Sequence, residues 1–273
     1  MKKIIAAALL SFSLNSFADN APLWLRFCSI SPDGQTIAFS YKGDLFSVPV
    51  NGGIAKQLTT NPAYDAYPIW SPDGQKIAFA STREGSMDIY LMNKNGGVPK
   101  RLTTNSGSEI PMAFTDNNHV LFSSAIMPTA KSIFFASGTF PQTYEVNIDA
   151  SRPRLYSPIT MCDANVKSNG DILYHDVKGY EDNFRKHHRS PVTRDIWLYS
   201  KGNYTKLTNF DGEDRTPVWG NNTNEYYYLS EEDGTFNVYK RNIDGSGKKQ
   251  LTFHKANPVR FLTVANNGTI CYG

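Results

Sequence analysis

A basic stretch in the second half of the chain has the clearest capacity for ligand chemistry. Its candidate binding residues are Arg185, Lys186, His187, His188, Arg189 and Arg194. A guanidinium group presents two N–H donors that match the two oxygens of a carboxylate. The stretch therefore predicts a site for a peptide terminus or an acidic side chain. The alternative is that its arginines pair with Glu181, Asp182 and Asp195 and serve only to fold the loop.

A second candidate is apolar and reads AIMPTAKSIFFASGTFPQ. If Ile133, Phe134 and Phe135 were exposed together, they would form an adhesive patch, so we expect a partner domain to cover them. Large aromatic pairs often mark interfaces. The alternative is that Phe134 and Phe135 fold over the edge of their own sheet.

Catalytic and metal-binding patterns are missing from the sequence. There is no Gly-x-Ser-x-Gly elbow, and Gly245-Ser246-Gly247 falls in a predicted turn, where these residues are common. The histidines have no metal-ligand spacing. They are His119, His175, His187, His188 and His254. We therefore predict no catalytic residue, no metal and no cofactor in this chain.

A repeated unit of four short strands must position both insertions. In its clearest copy, Tyr64 to Asn105, apolar and polar residues alternate over short runs separated by turns, which is typical of strands. The first turn is Ser71-Pro72-Asp73-Gly74, where proline and glycine favour a reversal, and Thr82 to Ser86 is predicted to be a loop. The predicted strands cover Ala66 to Trp70, Lys76 to Ala80, Asp88 to Met92, and a short segment ending at Leu102 and Thr103.

The unit recurs in five complete copies. A third-strand aromatic residue follows a polar residue by two positions at Asp44/Phe46, Asp88/Tyr90, Gln142/Tyr144, Asp195/Trp197 and Asn237/Tyr239. The fourth-strand leucines are Leu58, Leu102, Leu155, Leu207 and Leu251, and threonine follows all but the third. Their spacing of 44 to 53 residues matches a propeller blade of four strands, and such sheets must stack on neighbours to be stable.

Two recurrent features are predicted to be structural. The third-strand Asp or Asn is expected to bond a turn amide rather than a ligand. The first-strand aromatic residues Trp70, Phe114 and Trp219 are expected to pack between blades rather than to form a sugar platform.

A sixth copy begins at Asn257 and reaches its second strand at Thr269 to Tyr272. We therefore predict an all-β propeller with five complete blades and the first half of a sixth, over residues 19–273. A closed ring would bring Cys28 and Cys271 together, so a disulfide between them is one possibility; buried, unpaired cysteines are the other. The open edge of the sixth copy predicts dimerisation or poor solubility.

The long insertions interrupt copies three and four, at Ser123 to Pro141 and at His175 to Arg194. Each lies between the second and third strands, at the end of the blade from which the chain passes to the next blade. Both should therefore rise from one face of the ring. Long loops on a rigid scaffold commonly carry binding.

The first 18 residues resemble a secretory leader. Lys2 and Lys3 precede an apolar run from Ile4 to about Leu14, and Ser16-Phe17-Ala18 is a small-x-small cleavage site. The run is shorter than the about 20 apolar residues that a bilayer span needs. We predict cleavage after Ala18 and export to the periplasm without membrane insertion.

Composition excludes two classes of partner. The chain has 273 residues, of which 40% are hydrophobic and 13% aromatic, enough for a sizeable core. Lys and Arg number 28 against 25 Asp and Glu, and removal of the leader makes the balance nearly even. No global field therefore favours nucleic acid or an anionic membrane.

The repeat residues carry a family resemblance. The SPDG turn with Ile-Ala-Phe after it, the Asp-Ile-Tyr strand and the Leu-Thr ending resemble the WD40-like repeats of the TolB propeller and of the tricorn protease family. The stretch from Gly179 to Trp197 is similar to the fourth blade of bacterial tricorn-like peptidases. The resemblance covers about residues 21 to 273.

This resemblance implies a six-bladed propeller at the amino end of an exported tricorn-like serine peptidase. In that family a second propeller, a PDZ-like domain and a serine peptidase domain follow, so no catalytic residue carries over to this chain. The implied role is to guide or gate peptides, with peptides or the downstream domains as partners. The alternatives are a stand-alone TolB-like protein-binding propeller and, more distantly, the propeller of a prolyl oligopeptidase-type hydrolase.

Overall fold

The computed structural model describes residues 24–126, 141–179, 189–222 and 224–273. All regular secondary structure in these ranges is β-strand. The strands form five antiparallel sheets of four strands, each in sequence order, and a sixth sheet of two strands. The prediction of five complete blades and the first half of a sixth is confirmed.

The strand bounds follow the predicted repeat closely. Blade 1 contains β1 (Arg26–Ile30), β2 (Thr36–Tyr41), β3 (Asp44–Pro49) and β4 (Lys56–Gln57). Blade 2 contains β5 (Asp65–Trp70), β6 (Lys76–Glu84), β7 (Ser86–Asn93) and β8 (Lys100–Arg101). Blade 3 contains β9 (Glu109–Phe114), β10 (His119–Ser124), β11 (Gln142–Asn147) and β12 (Arg154–Ser157).

The second half of the ring repeats this order. Blade 4 contains β13 (Cys162–Val166), β14 (Ile172–His175), β15 (Ile196–Ser200) and β16 (Asn203–Lys206). Blade 5 contains β17 (Asp214–Trp219), β18 (Glu225–Ser230), β19 (Asn237–Asn242) and β20 (Lys249–Gln250). The sixth sheet pairs β21 (Thr263–Val264) with β22 (Ile270–Cys271).

Three predicted loop boundaries are wrong. The insertion predicted to begin at Ser123 begins after Ser124, because both serines pair with β11 in the sheet. Most of Thr82 to Ser86 is strand, because β6 and β7 continue past a register irregularity and turn only at Gly85. The insertion predicted to begin at His175 begins one residue later. His175 pairs with Ile196 in the sheet and is buried.

The SPDG turn owes its shape to its own side chains. In blade 2, the Ser71 hydroxyl donates to Asp73 Oδ1 at 2.5 Å, and the same oxygen accepts the Gln75 amide at 2.9 Å. These contacts lower the pKa of the Asp73 carboxyl. Gly74 takes a φ of 65°, which glycine adopts without the Cβ penalty. Blade 1 repeats the arrangement from Ser31 to Gln35.

The Leu-Thr ending closes each faithful blade. The Leu102 amide donates to the Ile89 carbonyl at 2.7 Å, and the Thr103 hydroxyl accepts the Ile89 amide at 2.9 Å. The threonine thus satisfies a buried backbone donor where the short fourth strand stops. In three further blades the equivalent hydroxyl also accepts a third-strand backbone amide, at Thr59, Thr208 and Thr252.

The prediction that Leu155 is the fourth-strand leucine of blade 3 is wrong. Leu155 pairs with Tyr144, as Arg101 pairs with Tyr90 in blade 2, so it precedes the leucine position by one residue. It is accordingly 43% exposed. A bulge follows Leu155. In place of a threonine after the leucine, the Thr143 hydroxyl on the third strand accepts a backbone amide here, that of Met161, at 3.1 Å.

The first-strand aromatic residues join neighbouring blades. Trp70 Nε1 donates to the Ser29 carbonyl at 3.0 Å, and Trp219 Nε1 donates to the Asn165 carbonyl at 3.1 Å. Phe114 packs into the apolar cluster of blade 2 beside Ala78 and Ile89. Each aromatic residue therefore contacts the blade before its own, in accordance with the predicted packing role.

The first strands of blades 1, 2, 4 and 5 share an irregularity in their pairing with the second strand. Register shifts in these strands coincide with residues in the left-handed region at Phe27, Tyr67, Asp163 and Thr216. Phe261, before β21, has the same backbone geometry. The Phe27 ring lies 4.0 Å from the Tyr67 ring and 4.9 Å from the Phe261 ring. Blades 6, 1 and 2 therefore meet, and the ring is closed.

No helix occurs among the described residues, so none of suitable length and apolarity is available there to cross a membrane.

Candidate functional site

One face of the ring gathers the loops between second and third strands and the links between blades; we name it the link face. The Asp65 amide donates to the Gly43 carbonyl at 2.7 Å, and the Asp214 amide donates to the Arg194 carbonyl at 3.0 Å. These bonds tie each loop to the neighbouring link. Both long insertions leave the ring at this face, as the topology predicts, although much of each lies outside the described residues.

The blade-1 cleft opens on the link face among the described residues. It has a volume of about 690 Å³ and lies between the Lys42–Gly43 turn and the link at residues 60–64. Lys42 and Gly43 both have positive φ, at 51° and 92°, as the tightest hairpin turns require. This turn keeps the loop short and leaves the cleft open. Its aromatic lining is Trp24, Tyr41 and Tyr64.

Two cations in the blade-1 cleft rest on aromatic rings. The Arg26 guanidinium lies 5.3 Å from the Trp24 ring, and the Lys42 ammonium lies 5.3 Å from the Tyr41 ring. Neither cation forms an ion pair within the described ranges. Trp24 itself is 75% exposed. The ring faces orient the cations without neutralising them, so an anionic or aromatic ligand group can be bound here.

The blade-4 cleft has about 450 Å³ and different electrostatics. Lys178 and Lys206 both contact the buried Asp195 carboxylate, Lys206 at 2.9 Å. The Lys178 ammonium also donates to the Thr193 carbonyl at 2.5 Å. Arg189 reaches only to 3.9 Å from Asp211, and both side chains are largely exposed. Most of the positive charge in this cleft is therefore already paired.

Arg194 has a structural role. Its guanidinium donates to Glu213 Oε1 at 3.1 Å, and Arg215 donates to the same oxygen. Glu213 is fully buried in the link to blade 5. Two lysines contact Asp195, and Arg194 forms an ion pair with Glu213 in the next link. Arg194 thus helps to hold the fold through Glu213, whereas Arg189 lies at the cleft. Pairing of the loop arginines with Glu181 and Asp182 stays a prediction, because these acids lie outside the described residues.

The other predicted site residues cannot be placed. Arg185, Lys186, His187 and His188 lie outside the described residues, as do Phe134 and Phe135. Their predicted binding roles remain predictions.

The third-strand polar residues are structural, but they bond different groups from those predicted. The Arg101 guanidinium, on the fourth strand, donates to Asp88 at 2.7 Å, and the Thr59 hydroxyl donates to Asp44. Only Asn237 follows the prediction, since its Oδ1 accepts the His254 amide at 2.8 Å. In the described part of the chain, no group of three or more His, Cys, Asp and Glu could hold a metal ion.

Sequence reasoning missed the blade-1 cleft. Its lining comes from the start of β1, a two-residue turn and the link to blade 2, and these segments are far apart in the repeat. The available signal was an aromatic residue beside a basic one at Trp24/Arg26 and again at Tyr41/Lys42. Only the ring geometry brings the two pairs together.

The architecture defines a β-propeller with four-stranded blades and a sixth, two-stranded sheet that closes the ring. The family can now be stated as well. The chain belongs to the family of the tricorn protease N-terminal β-propeller domain, whose family model matches residues 22–273.

Individual relatives agree with this assignment. The chain is 35% identical over 71 residues to Tricorn protease homolog 1 of Streptomyces coelicolor, a match covering 26% of this chain and 6% of that protein. The crystal structure of the tricorn protease matches with a TM-score of 0.72 at 20% identity, over 91% of this chain and 25% of that chain. TolB from Acinetobacter baumannii matches with a TM-score of 0.61 at 19% identity, over 83% and 54%. These two structural likenesses show the fold, and the chain spans much less than two thirds of all three proteins.

Proposed function

We propose that this propeller is the non-catalytic N-terminal domain of an exported, tricorn-like serine peptidase, and that its link face guides or gates peptides for proteolysis. Membership of the tricorn N-terminal propeller family supports the context. The observation that carries the binding role is the pair of cations Arg26 and Lys42, which form no ion pair among the described residues and rest on aromatic rings in an open cleft.

The ligand class follows from this chemistry. A guanidinium and an ammonium beside indole and phenol rings suit a peptide that offers a carboxylate and an apolar or aromatic side chain. The carboxylate is either the C-terminus or an acidic side chain. Arg189 supplies a second, weaker point of contact across the link face.

The test uses the complete protein and two matched substrates, one peptide with a free C-terminal carboxylate and its C-terminal amide. The double substitution Arg26→Ala with Lys42→Ala should raise KM for the free acid by about tenfold, the scale of a lost charge-assisted hydrogen bond. KM for the amide should change much less. The control is Lys201→Ala, in the exposed turn between the third and fourth strands of blade 4, at the opposite face. Unchanged KM for both peptides would refute the binding role.

Export is a separate part of the proposal. The leader pattern from Met1 to Ala18 predicts a mature protein that begins near Asp19. Intact mass measurement of the protein recovered from the periplasm checks this. A mass that retains the leader would contradict it.

The competing function is a TolB-like propeller that binds partner proteins. The chain is 33% identical over 58 residues to a TolB homolog of Chlorobium luteolum, a match covering 21% of this chain and 13% of that protein. Sequencing the reading frame beyond Gly273 separates the two functions. A PDZ-like and serine peptidase sequence supports the peptidase, whereas a stop soon after a completed sixth blade supports the TolB-like protein.

A further inference from the structure

The seam between the sixth sheet and blade 1 closes the ring without a shared sheet. β1 pairs within blade 1, and β21 pairs only with β22 in the described chain. Three hydrogen bonds among the described residues cross the seam: the Ile30 amide donates to Thr263 Oγ1 at 3.1 Å, the Cys28 thiol to the Phe261 carbonyl at 3.3 Å, and the Asn266 amide to the Pro32 carbonyl at 2.9 Å. A small apolar cluster adds Ile30, Ala265 and Cys271. Side-chain contacts and one backbone hydrogen bond therefore hold this seam.

Two thiols meet inside the seam. Cys28 lies on β1 and Cys271 on β22, so they come from opposite ends of the described chain. The Cys28 sulfur donates to the Phe261 carbonyl oxygen at 3.3 Å, in the segment that leads into the sixth sheet. Both cysteines belong to the same apolar cluster. The expectation that a closed ring brings these residues together is confirmed, and both are free thiols in the structure.

The surroundings make the two thiols unequal. Hydrogen bonds from the Cys28 thiol and from the Thr263 hydroxyl lower the pKa of Cys271, against the opposing effect of burial. The same thiol–thiol contact and burial raise the pKa of Cys28. Because the thiolate is the attacking species in disulfide exchange, these pKa directions favour Cys271 as the attacking thiol and Cys28 as the resolving thiol.

Cys162 provides an internal contrast. It lies on β13 in blade 4, three blades away from Cys28 around the ring, and burial raises its pKa to about 12. A thiol of this kind is unreactive at neutral pH.

We propose that Cys28 and Cys271 form a disulfide bond that locks the ring at this seam when the protein meets a disulfide donor. The donor is an oxidised dithiol protein or a small-molecule disulfide. The Cys271 thiolate attacks one donor sulfur and expels the other as a thiolate, giving a mixed disulfide. Cys28 then loses its proton to solvent, attacks the Cys271 sulfur and expels the second donor thiolate. Two electrons pass from the protein to the donor, which leaves reduced.

Access to the pair requires a brief opening of the sixth sheet. Cys271 is 8% exposed, and β22 has only two residues. Short, sparsely bonded elements open locally at low free-energy cost. The exchange therefore takes place during folding or during such openings, and closure then places the bond inside the seam.

The test starts from the purified full chain, incubated with oxidised glutathione, then denatured and alkylated. Intact mass should show one alkylated thiol per chain, and peptide mapping should find a Cys28–Cys271 cross-link. Cys162→Ser should leave no alkylated thiol, whereas Cys271→Ser should remove the cross-link. Three alkylated thiols in the wild type, or a cross-link that includes Cys162, would overturn the proposal.

Thermal unfolding gives a second measurement. A cross-link that encloses most of the chain should raise Tm by roughly 5–10 °C over the reduced protein. The shift should persist in Cys162→Ser and vanish in Cys271→Ser. An oxidised protein that carries the cross-link but has the Tm of the reduced form would disprove the locking role.

Discussion

The blade-1 cleft and the blade-4 cleft lie on the same face and contain the same kinds of side chain, yet their charges are used differently. In the blade-4 cleft, Lys178 and Lys206 serve the buried Asp195. In the blade-1 cleft, Arg26 and Lys42 rest on aromatic rings. The acid in its lining, Asp44, accepts hydrogen bonds from Gln57 and Thr59 instead of from these cations. A basic cluster in the sequence thus does not identify a binding site by itself. What distinguishes the two clefts is whether buried acids already hold the cations.

The largest expected effect is on the blade-4 side. Glu213→Ala removes the buried carboxylate that holds Arg194 and Arg215, and should lower the free energy of unfolding by about 3 kcal/mol. Urea denaturation measures this change. The matched control is Asp211→Ala in the same link, an acid with 79% side-chain exposure, which should have no measurable effect. Equal losses of unfolding free energy for both variants would mean that ion pairing does not distinguish a structural acid from a surface acid in this link.

The second effect concerns the pH dependence of stability and the buried residue Glu109. It lies where blade 3 meets blade 2, between the two clefts. Burial raises the pKa of Glu109 from 4.5 to about 7. A carboxyl group with a raised pKa stabilises the fold below its ordinary pKa, and this contribution is lost as the pH rises through about 7.

Unfolding of the wild type and of Glu109→Gln at pH 5 and pH 8 tests this contribution. The wild type should lose about 2 kcal/mol relative to the variant over that range. Asp73→Asn, in an exposed turn, is the control for general charge effects. Parallel pH profiles for the wild type and Glu109→Gln would show that Glu109 does not titrate in this window.

A smaller effect distinguishes the arginines of the two clefts. Arg194→Ala should cost about 1–2 kcal/mol of stability, since Glu213 is left with fewer donors. Arg26→Ala should change stability by less than about 0.5 kcal/mol, because exposed cation–π contacts are weak. Thermal and urea unfolding of the two variants make the comparison. A reversal of this order would assign Arg26 to the scaffold.

The smallest expected effect is on ligand binding at the blade-4 cleft. Arg189→Ala should raise KM for the free-acid peptide by at most about threefold, since exposed charges contribute little each. This compares with about tenfold for the blade-1 pair. Steady-state kinetics of the complete protein check both values. A larger effect for Arg189→Ala would move the main binding site to the blade-4 cleft.

Most of the fold could be predicted because its determinants are local. The SPDG turn and the Leu-Thr ending bond within one blade, so each copy signals its own strands. Blade 3 shows the limit, since its bulge after Leu155 and its use of Thr143 have no counterpart in the other copies. A one-residue shift of this kind does not alter the hydrophobic pattern enough to be seen.

The candidate site was harder to predict because its determinants are non-local. The partner of Arg194 is Glu213 in the following link, and nothing in the loop sequence indicates that reach. The blade-1 cleft depends on three separate segments and on a turn short enough to leave space. Proximity of Cys28 to Cys271 was predictable only because ring closure is a global constraint that the repeat count implies.

The tryptophan bonds between blades have a consequence for the order of assembly. Trp70 donates to the backbone of blade 1 and Trp219 to that of blade 4, so each of these tryptophans reaches back to the blade made before its own. Repeat proteins are stabilised largely by such nearest-neighbour interfaces. A new blade therefore carries its own docking contact for its predecessor. Blades can add in chain order as the polypeptide is synthesised, and the ring closes only when the sixth sheet docks on blade 1.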